Sequence, residues 1–222
     1  MIRAVLCDIE GTTTSIAFAH EVLFPVSYEK MESFIKTHWN DPAISNELNV
    51  LRAQINKESV TADDVIALLR SWIRFDKKET NLKSIQGKIW KESFETGGIR
   101  GHVYPDVPVC FRKWKAEGLK IAIFSSGSVE AQQLIFRYSE TGDLSSYIDA
   151  YFDTTTGPKR EATSYRAIAE KLHTTADQIL FLSDVEAELD AAREAGMKTT
   201  LLVREGNLVE SSHSIAEKLC VL

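Results

Sequence analysis

Short apolar runs that alternate with helical patterns constrain this chain more than any other feature of its sequence. Three of the runs directly follow a segment with helical periodicity, and Gly118 and Gly196 end two of those segments. Apolar runs of this length are typical of strands that are buried on both faces of a parallel sheet. The four runs are IRAVLC, LKIAIFS, QILFLS and TTLLV. The alternation predicts a doubly wound α/β domain, in which ligands bind beyond the carboxyl ends of the strands.

The segment from residue 16 to residue 100 interrupts this alternation, because it contains several helical patterns and no convincing strand. One of these patterns opens with Thr61 and carries Asp64 three residues later, which is close to a capping box. We therefore predict an α/β core built from residues 1–15 and 101–222. An all-helical insert, residues 16–100, separates the first strand from the rest of the sheet.

Charge and cysteine content limit the partners and the compartment. The net charge is -6 and no stretch is dominated by Lys and Arg, which argues against nucleic acid and against an anionic membrane as partner. The apolar run before Asp8 is too short for a signal-peptide core, so we expect a soluble, cytoplasmic protein. The cysteines fit no metal motif, and we expect reduced thiols, with Cys7 and Cys110 packed as small hydrophobes and Cys220 also unpaired.

Polar residues stand at the ends of three predicted strands. Asp8 follows the first strand, Ser125 follows the second, and Asp184 ends the run ILFLSD. An acid at the exit of a buried strand is unfavourable unless something compensates its charge, and a divalent cation would do so. Mg²⁺ takes oxygen ligands, usually one or two carboxylates together with phosphate and water. Because the helical insert directly follows Asp8, we expect it to form a cap over this edge of the sheet and to exclude water.

Four motifs, in this order and spacing, resemble those of the haloacid-dehalogenase-like hydrolase superfamily. They are DIEGTT, FSSGS, Lys159 within TTTGPKREATSY, and LSDVEAELD. The resemblance is closer to one family within it, the enolase-phosphatases of methionine salvage, and rests on DIEGTTTSIAF, VLFPVS, GHVYPDVP, FSSGSVEAQ and LFLSDVEAE. That family has an Asp-x-Glu pair where the superfamily has Asp-x-Asp. Glu10 therefore departs from the superfamily and agrees with the family.

The resemblance implies a role for each matching residue. Asp8 would be the catalytic nucleophile and would form an aspartyl-phosphate. Ser125 and Ser126 would bind phosphoryl oxygens, and Lys159 would neutralise phosphate charge. One Mg²⁺ per subunit would supply further neutralisation. Its ligands would be Asp8, Glu10 and Asp184.

Three assignments stay open at this point. Glu10 is either a catalytic general acid and base or a residue that only helps to hold the metal. An enol leaving group is more acidic than an alkyl alcohol, so it departs with less protonation and relaxes the need for an acid. The base for enolisation is His20, His102 or another residue of the insert. Glu188 is either a solvated helix charge or a hydrogen-bond partner near the metal.

The resemblance implies a Mg²⁺-dependent phosphatase that is also an enolase. It would convert 2,3-diketo-5-methylthiopentyl-1-phosphate to the acireductone 1,2-dihydroxy-3-keto-5-methylthiopentene and phosphate. We expect a monomer whose partner is this small phosphorylated metabolite. One alternative is a Mg²⁺-dependent phosphatase of another small metabolite, without an enolase step. Two others are a metal-free dehalogenase that uses Asp8 on carbon and an inactive binding module on the same scaffold.

Overall fold

A computed structural model describes residues 1–55, 57–75, 77, 79–206 and 210–221 of the chain. In these residues a parallel sheet has the strand order β3-β2-β1-β4-β5-β6. The strands are β1 (Ala4–Cys7), β2 (Lys120–Phe124), β3 (Ala150–Phe152), β4 (Ile179–Ser183), β5 (Lys198–Leu202) and β6 (Ser214–Ala216). The doubly wound prediction is confirmed, and all four apolar runs are strands. β3 and β6 were not predicted. The strand order reverses between β1 and β4, which is where such sheets bind ligands.

Helices connect the strands and make up the insert. In chain order they are α1 (Ile16–Phe18), α2 (Phe24–Thr37), α3 (Ser45–Gln54), α4 (Ala62–Arg74), α5 (Thr80–Glu95), α6 (Val107–Ala116), α7 (Val129–Arg137), α8 (Ala162–Lys171) and α9 (Glu186–Glu194). A π-helical turn, Ala19–Leu23, joins α1 to α2, and 3₁₀ turns lie at Pro42–Ile44, Ser145–Tyr147 and Ala176–Gln178. None of the described helices combines the length and the apolar character that a membrane-spanning segment requires.

The predicted start and stop signals act where the sequence places them. Gly118 and Gly196 follow α6 and α9 with φ of +78° and +94°, a conformation that glycine adopts without steric cost. Thr61 caps α4, and Asp64 completes the capping box in both directions. Ser128 caps α7 by accepting a hydrogen bond from a backbone amide of the first turn.

The contacts divide the chain into two compact units. The first consists of Met1–Ile16 and Arg100–Leu222, and the second is Ala17–Ile99. Within the described residues the second unit contains helices and no strand. Its core is built from side chains of its own helices, among them Met31, Phe34, Ile35, Leu48, Leu51, Val65, Leu69, Leu82, Ile85 and Ile89.

The core of the first unit fixes the strand ends. Side chains on one face of β1, β2 and β4 pack against α8 and α9. They include Leu6, Phe124, Phe181, Tyr165, Ile168 and Leu189, none of which has exposed surface. Full burial of such a side chain stabilises the fold by roughly 1.5–3 kcal/mol. This packing holds the carboxyl ends of β1, β2 and β4 in fixed positions.

One prediction about the cysteines is wrong. Cys110 and Cys220 form a disulfide whose Cα atoms are 5.3 Å apart, so these two are not reduced thiols. Cys110 is buried as predicted, but as half of a covalent pair. Cys7 is a free, buried thiol, in agreement with the prediction. A disulfide depends on the distance between two Cα atoms in space, and residues 110 positions apart in sequence give no local sign of that distance.

Candidate active site

A tight turn directly after β1 carries the first two predicted site residues, Asp8 and Glu10. The amides of Thr12, Thr13 and Thr14 all donate to the carbonyl oxygen of Ile9, at 2.9–3.1 Å. The amide of Ile9 donates to Oδ1 of Asp8 at 2.7 Å. We call residues 8–14 the catalytic turn. Its internal hydrogen bonds hold the Asp8 carboxylate in one orientation at the end of a buried strand.

Gly11 allows this turn to approach the end of β4. Its φ is +72°, and a Cβ placed on it would lie 2.1 Å from Oδ2 of Asp184. No side chain fits in that space, so the Gly11 backbone lies directly against the Asp184 carboxylate. The turn that carries Asp8 and the carboxylate of Asp184 therefore meet at the point where the strand order reverses.

A buried ion-pair cluster surrounds Asp8. Nζ of Lys159 lies 2.6 Å from Oδ1 of Asp8 and 2.7 Å from Oε2 of Glu188. The hydroxyl of Ser183 lies between the same carboxylates, 3.3 Å from Asp8 and 3.2 Å from Glu188. Asp8, Lys159 and Glu188 are only 3%, 7% and 8% exposed. Because ion pairs with so little exposure are poorly screened by water, the attraction between the Lys159 ammonium and these two carboxylates is strong.

The charges in this cluster shift one another. Burial opposes the positive charge of Lys159, but the carboxylates of Asp8 and Glu188 outweigh it and raise the lysine pKa. Burial, together with the nearby Asp8 carboxylate, raises the pKa of Glu188 to about 7. Glu188 is thus a buried partner of Lys159, and the alternative of a solvated helix charge is wrong.

The loop that carries Lys159 is held by α8. The hydroxyl of Tyr165 donates to the carbonyl oxygen of Lys159 at 2.7 Å. The hydroxyl of Ser164 donates to the carbonyl oxygen of Pro158, also at 2.7 Å. Tyr165 has no exposed surface. The lysine therefore reaches Asp8 from a backbone that is fixed by a core residue.

Glu10 is oriented toward β2. The hydroxyl of Ser125 donates to Oε2 of Glu10 at 3.2 Å, and the amide of Gly127 donates to the Ser125 hydroxyl at 3.1 Å. Burial, followed by the Asp8 carboxylate, raises the pKa of Glu10. Ser125 is 1% exposed, whereas Ser126 is exposed. The structure thus pairs Asp8 with Lys159, pairs Glu10 with Ser125, and places Asp184 against Gly11 of the same turn. Ser126 takes part in none of these contacts.

The acids of the site fit a divalent cation. Oδ1 of Asp184 is buried and has no hydrogen-bond partner among the described residues. Burial, with Asp8 nearby, raises the pKa of Asp184 to about 6. A carboxylate oxygen without a donor, beside a second carboxylate, is an arrangement that a hard cation with oxygen ligands relieves. In the described part of the chain no three His, Cys, Asp or Glu side chains form a ligand cluster, so three side chains alone do not build the site.

The two histidines occupy different surroundings. His102 supports the end of the catalytic turn: its Nδ1 accepts from the amide of Ser15 at 3.1 Å, and its carbonyl oxygen accepts from the hydroxyl of Thr14 at 2.6 Å. His20 belongs to the second unit, is exposed, and contacts the ring of Phe24 edge-on. Neither arrangement singles out the base for enolisation.

Two residues that contact the site were not predicted from the sequence. Ser183 bridges Asp8 and Glu188, and Arg204 donates two hydrogen bonds to the carbonyl oxygen of Thr12 in the catalytic turn. Ser183 directly precedes Asp184 in the motif that was recognised. Arg204 lies just after β5, so the same attention to polar residues at strand ends would have found it.

Comparisons with known proteins agree with this geometry. A family model described as haloacid dehalogenase-like hydrolase matches residues 2–196. Enolase-phosphatase E1 of Sorangium cellulosum is 48% identical over 220 residues, which covers 97% of this chain and 95% of that protein. Enolase-phosphatase E1 of Pseudomonas aeruginosa (strain LESB58) is 46% identical over 215 residues, covering 97% and 96%. The crystal structure of UTR4 protein from Saccharomyces cerevisiae matches with a TM-score of 0.85 at 33% identity and covers 100% of both chains.

The two enolase-phosphatase relatives align with nearly the full length of this chain, including the helical insert. The similarity is therefore not limited to the α/β core. The relatives also agree with the closer resemblance seen in the motifs around Asp8 and Asp184. This chain is a haloacid dehalogenase-like hydrolase and belongs, within that group, to the enolase-phosphatase E1 family.

Proposed function

We propose that this protein is the enolase-phosphatase of methionine salvage. It converts 2,3-diketo-5-methylthiopentyl-1-phosphate to the acireductone 1,2-dihydroxy-3-keto-5-methylthiopentene and phosphate. The observation that carries the proposal is the buried contact between Asp8 and Lys159, with Asp184 against the same turn. The relatives named Enolase-phosphatase E1 supply the choice of reaction.

Asp8 acts as the nucleophile in the phosphatase half of the reaction. Its carboxylate attacks phosphorus, the oxygen of the leaving group departs, and an aspartyl-phosphate forms. Water then cleaves the acyl phosphate and regenerates the carboxylate. The hydrogen bonds from Lys159 and from the amide of Ile9 to Oδ1 support this role, because they orient the carboxylate before substrate arrives.

Lys159 and Ser125 bind the phosphoryl group. Lys159 keeps its positive charge between two carboxylates, so it offsets the charge of an anionic substrate in a site where acids predominate. Ser125 donates a hydrogen bond that is directed toward Glu10 in this structure and is available to a phosphoryl oxygen when substrate is bound. Ser126, which is exposed, is proposed as a second donor to the same group.

Members of this hydrolase family generally use a divalent metal ion, and we propose one Mg²⁺ per subunit. Asp8 and Asp184 would bind it through their carboxylates. Glu10 would contribute its main-chain carbonyl oxygen, because its carboxylate is directed toward Ser125. When bound, the ion reduces the repulsion between the Asp8 carboxylate and the phosphate.

Glu10 serves as general acid and base. Burial and the Asp8 carboxylate raise its pKa, which favours the protonated form that can donate to a leaving oxygen. An enol oxygen needs less protonation than an alkoxide when it leaves. We therefore expect Glu10→Gln to slow phosphate release from an alkyl phosphate more than release from the enol phosphate. Equal losses of several decades on both substrates would contradict this relaxed need for an acid.

The enolase half removes a proton from the carbon next to a carbonyl group. His20 and His102 are the proposed bases, and His20→Gln and His102→Gln distinguish them by the rate at which the enol appears. The proposal also includes a monomeric enzyme that acts in the cytoplasm on a small phosphorylated metabolite.

The first experiment follows phosphate release from the diketone phosphate, with and without Mg²⁺, while the ultraviolet absorbance of the enol is recorded in the same cuvette. A transient enol signal that precedes Mg²⁺-dependent phosphate release is the expected result. Asp8→Asn should abolish phosphate release and let the enol accumulate. Release from other phosphomonoesters but not from this substrate would refute the salvage reaction and leave a phosphatase of another metabolite.

A further inference from the structure

Arg204 is a buried arginine whose guanidinium group reaches the catalytic turn. It follows β5, and its side chain is 6% exposed. Nε and Nη2 both donate to the carbonyl oxygen of Thr12, at 2.8 and 2.6 Å. Nη1 donates to Oδ2 of Asp106 at 2.7 Å and to the carbonyl oxygen of Glu217 at 3.2 Å. All three nitrogens of the group therefore donate hydrogen bonds within the protein.

Thr12 stands in the middle of the turn that carries Asp8 and Glu10. The other hydrogen bonds described for the turn amides of residues 11–14 run within the turn itself, so they set its shape but not its position. Two charge-assisted bonds to one carbonyl oxygen add an external anchor at this point. Thr12 has no exposed surface, so water does not replace these bonds if they are lost.

A second contact extends the anchor to the next residue of the turn. The amide of Tyr104 donates to the carbonyl oxygen of Thr13 at 3.0 Å. The guanidinium of Arg204 lies over the ring of Tyr104, 4.4 Å from its centroid. Arg204 thus contacts Thr12 directly and packs on the residue that holds Thr13.

The C-terminal segment holds Arg204 in place. Oδ2 of Asp106 accepts from Arg204 and also from the amide of Leu219, at 2.7 and 2.6 Å. The next residue, Cys220, is bonded covalently to Cys110 in α6, the helix that Asp106 precedes. We call Asp106, Leu219 and the disulfide the C-terminal junction. The junction places the Asp106 carboxylate within hydrogen-bond distance of Nη1 of Arg204.

We propose that Arg204 is a positioning residue for the catalytic turn and that the C-terminal junction fixes Arg204 for this purpose. The inference rests on the proposed function, since it assumes that the turn holds the nucleophile. Arg204 touches no reacting atom in this account. It acts through the backbone of Thr12, two residues beyond Glu10, and keeps the turn at the distance from Asp184 and Lys159 that the reaction requires.

Only a planar guanidinium group, with its several N–H donors, can bond the carbonyl oxygen of Thr12 twice and also reach Asp106. Lysine keeps the charge but offers one nitrogen, which cannot bond Thr12 twice and reach Asp106 as well. Displacement of a catalytic group by about 1 Å lowers the rate by roughly 100-fold. We therefore expect Arg204→Gln to lower kcat by about 100-fold and Arg204→Lys by about 10-fold, with KM changed by less than about 3-fold, because neither variant touches the groups that bind phosphate.

Arg193 provides a matched control. It also connects the core to the C-terminal segment, with Nη1 donating to the hydroxyl of Ser212 at 2.8 Å, and it pairs with Asp190. Among the described residues its hydrogen bonds go to Ser212 and Asp190, and none goes to the catalytic turn. Arg193→Gln removes the same charge and an attachment of the C-terminal segment from a more exposed position, since the Arg193 side chain is 47% exposed. We expect its kcat to stay within about 2-fold of the original.

The test measures kcat and KM for phosphate release and, separately, the Mg²⁺ dissociation constant by calorimetry. Both are recorded well below the midpoint of thermal unfolding of each variant. Because the turn carries two of the proposed ligands, we expect Arg204→Gln to weaken Mg²⁺ binding at least about 10-fold, the usual effect of losing a supporting contact behind a metal ligand. Arg193→Gln should bind Mg²⁺ as the original protein does.

Two outcomes would overturn the inference. One is an Arg204→Gln protein with unchanged kcat and Mg²⁺ affinity. The other is an equal loss in Arg204→Gln and Arg193→Gln, which would assign the effect to charge or to attachment of the C-terminal segment. If Arg204→Gln does not fold, Arg204→Lys answers the same question. Failure of the original protein to release phosphate from any substrate would refute the proposed function instead, and the calorimetric comparison would still test Arg204.

Discussion

Gly11 meets two structural requirements of the catalytic turn, and replacement of Gly11 by alanine would violate both. The first is its backbone, since φ is +72° and an L-residue in that region costs roughly 1–2 kcal/mol. The second is space, because the new Cβ would lie 2.1 Å from Oδ2 and 2.4 Å from Cγ of Asp184. Gly118 meets only the first requirement, with φ of +78° and nothing within 4 Å of a Cβ placed on it.

The distance gives the size of the effect. Ordinary van der Waals contact begins at about 3.4 Å, so the Asp184 carboxylate must move away by about 1.3 Å. A side-chain carboxylate can rotate, so this movement adds little to the cost of folding. It displaces a proposed metal ligand by more than the roughly 1 Å that lowers a rate about 100-fold. That loss corresponds to about 2.7 kcal/mol of transition-state stabilisation.

We therefore expect Gly11→Ala and Gly118→Ala to lose similar free energies of unfolding, about 1–2 kcal/mol each in urea titrations. Only Gly11→Ala should lose activity, with kcat for phosphate release lower by about 100-fold and Mg²⁺ bound more weakly. A Gly11→Ala protein that keeps kcat within 3-fold of the original would refute the reasoning that Gly11 exists to admit Asp184. Equal losses of activity in both variants would point to backbone strain instead.

Further predictions concern the buried charges and the helical unit. Lys159→Met leaves the carboxylates of Asp8 and Glu188 facing each other without a cation, and we expect phosphate release to fall by at least about 100-fold in steady-state assays; near-normal release would contradict the role of the ammonium. In the folded, metal-free protein the pKa values of Asp184 and Glu188 are about 6 and about 7, above those of the same groups in the unfolded chain. Between about pH 4 and pH 7 the folded protein therefore binds more protons at these two residues than the unfolded chain does. The free energy of unfolding should therefore fall as pH rises through this range, and added Mg²⁺ should reverse the fall at pH 7. Thermal unfolding scans at several pH values test this trend. A stability that stays constant or increases with pH would contradict it. Thr61→Ala removes the cap of α4 and should cost about 1 kcal/mol in chemical denaturation while phosphate release per folded molecule stays unchanged.

The sequence predicted those parts of the site whose position follows from strand direction alone. Asp8, Ser125 and Asp184 follow apolar runs, and parallel strands bring their carboxyl ends to one edge, so their convergence needed no knowledge of packing. The capping box at Thr61 and the helix end at Gly118 were equally accessible. Each depends on neighbours within four residues.

The parts that were not predicted depend on contacts between distant segments. β3 and β6 are three residues each at the edges of the sheet, too short for a periodic pattern to show. The partner of Glu188 is Lys159, which arrives from a loop held by α8, and local sequence cannot distinguish that pairing from a solvated charge. The disulfide and Arg204 likewise join segments far apart in the chain.

The position of β1 in the sheet has a consequence for how the chain is made. β1 is the first strand to leave the ribosome, yet it lies between β2 and β4. About 170 residues separate the end of β1 from the start of β4. At translation rates of about 5–20 residues per second, the strand waits roughly 10–35 seconds for that neighbour.

During this interval the helices of the second unit are synthesised and can pack with one another, since their core draws on their own side chains. The four residues of β1 have no exposed surface in the finished protein, yet about 110 residues are made before β2, their first neighbour, begins at Lys120. Until Ile179 has been made, the nascent chain therefore carries an apolar strand that lacks at least one of its two neighbours in the finished sheet.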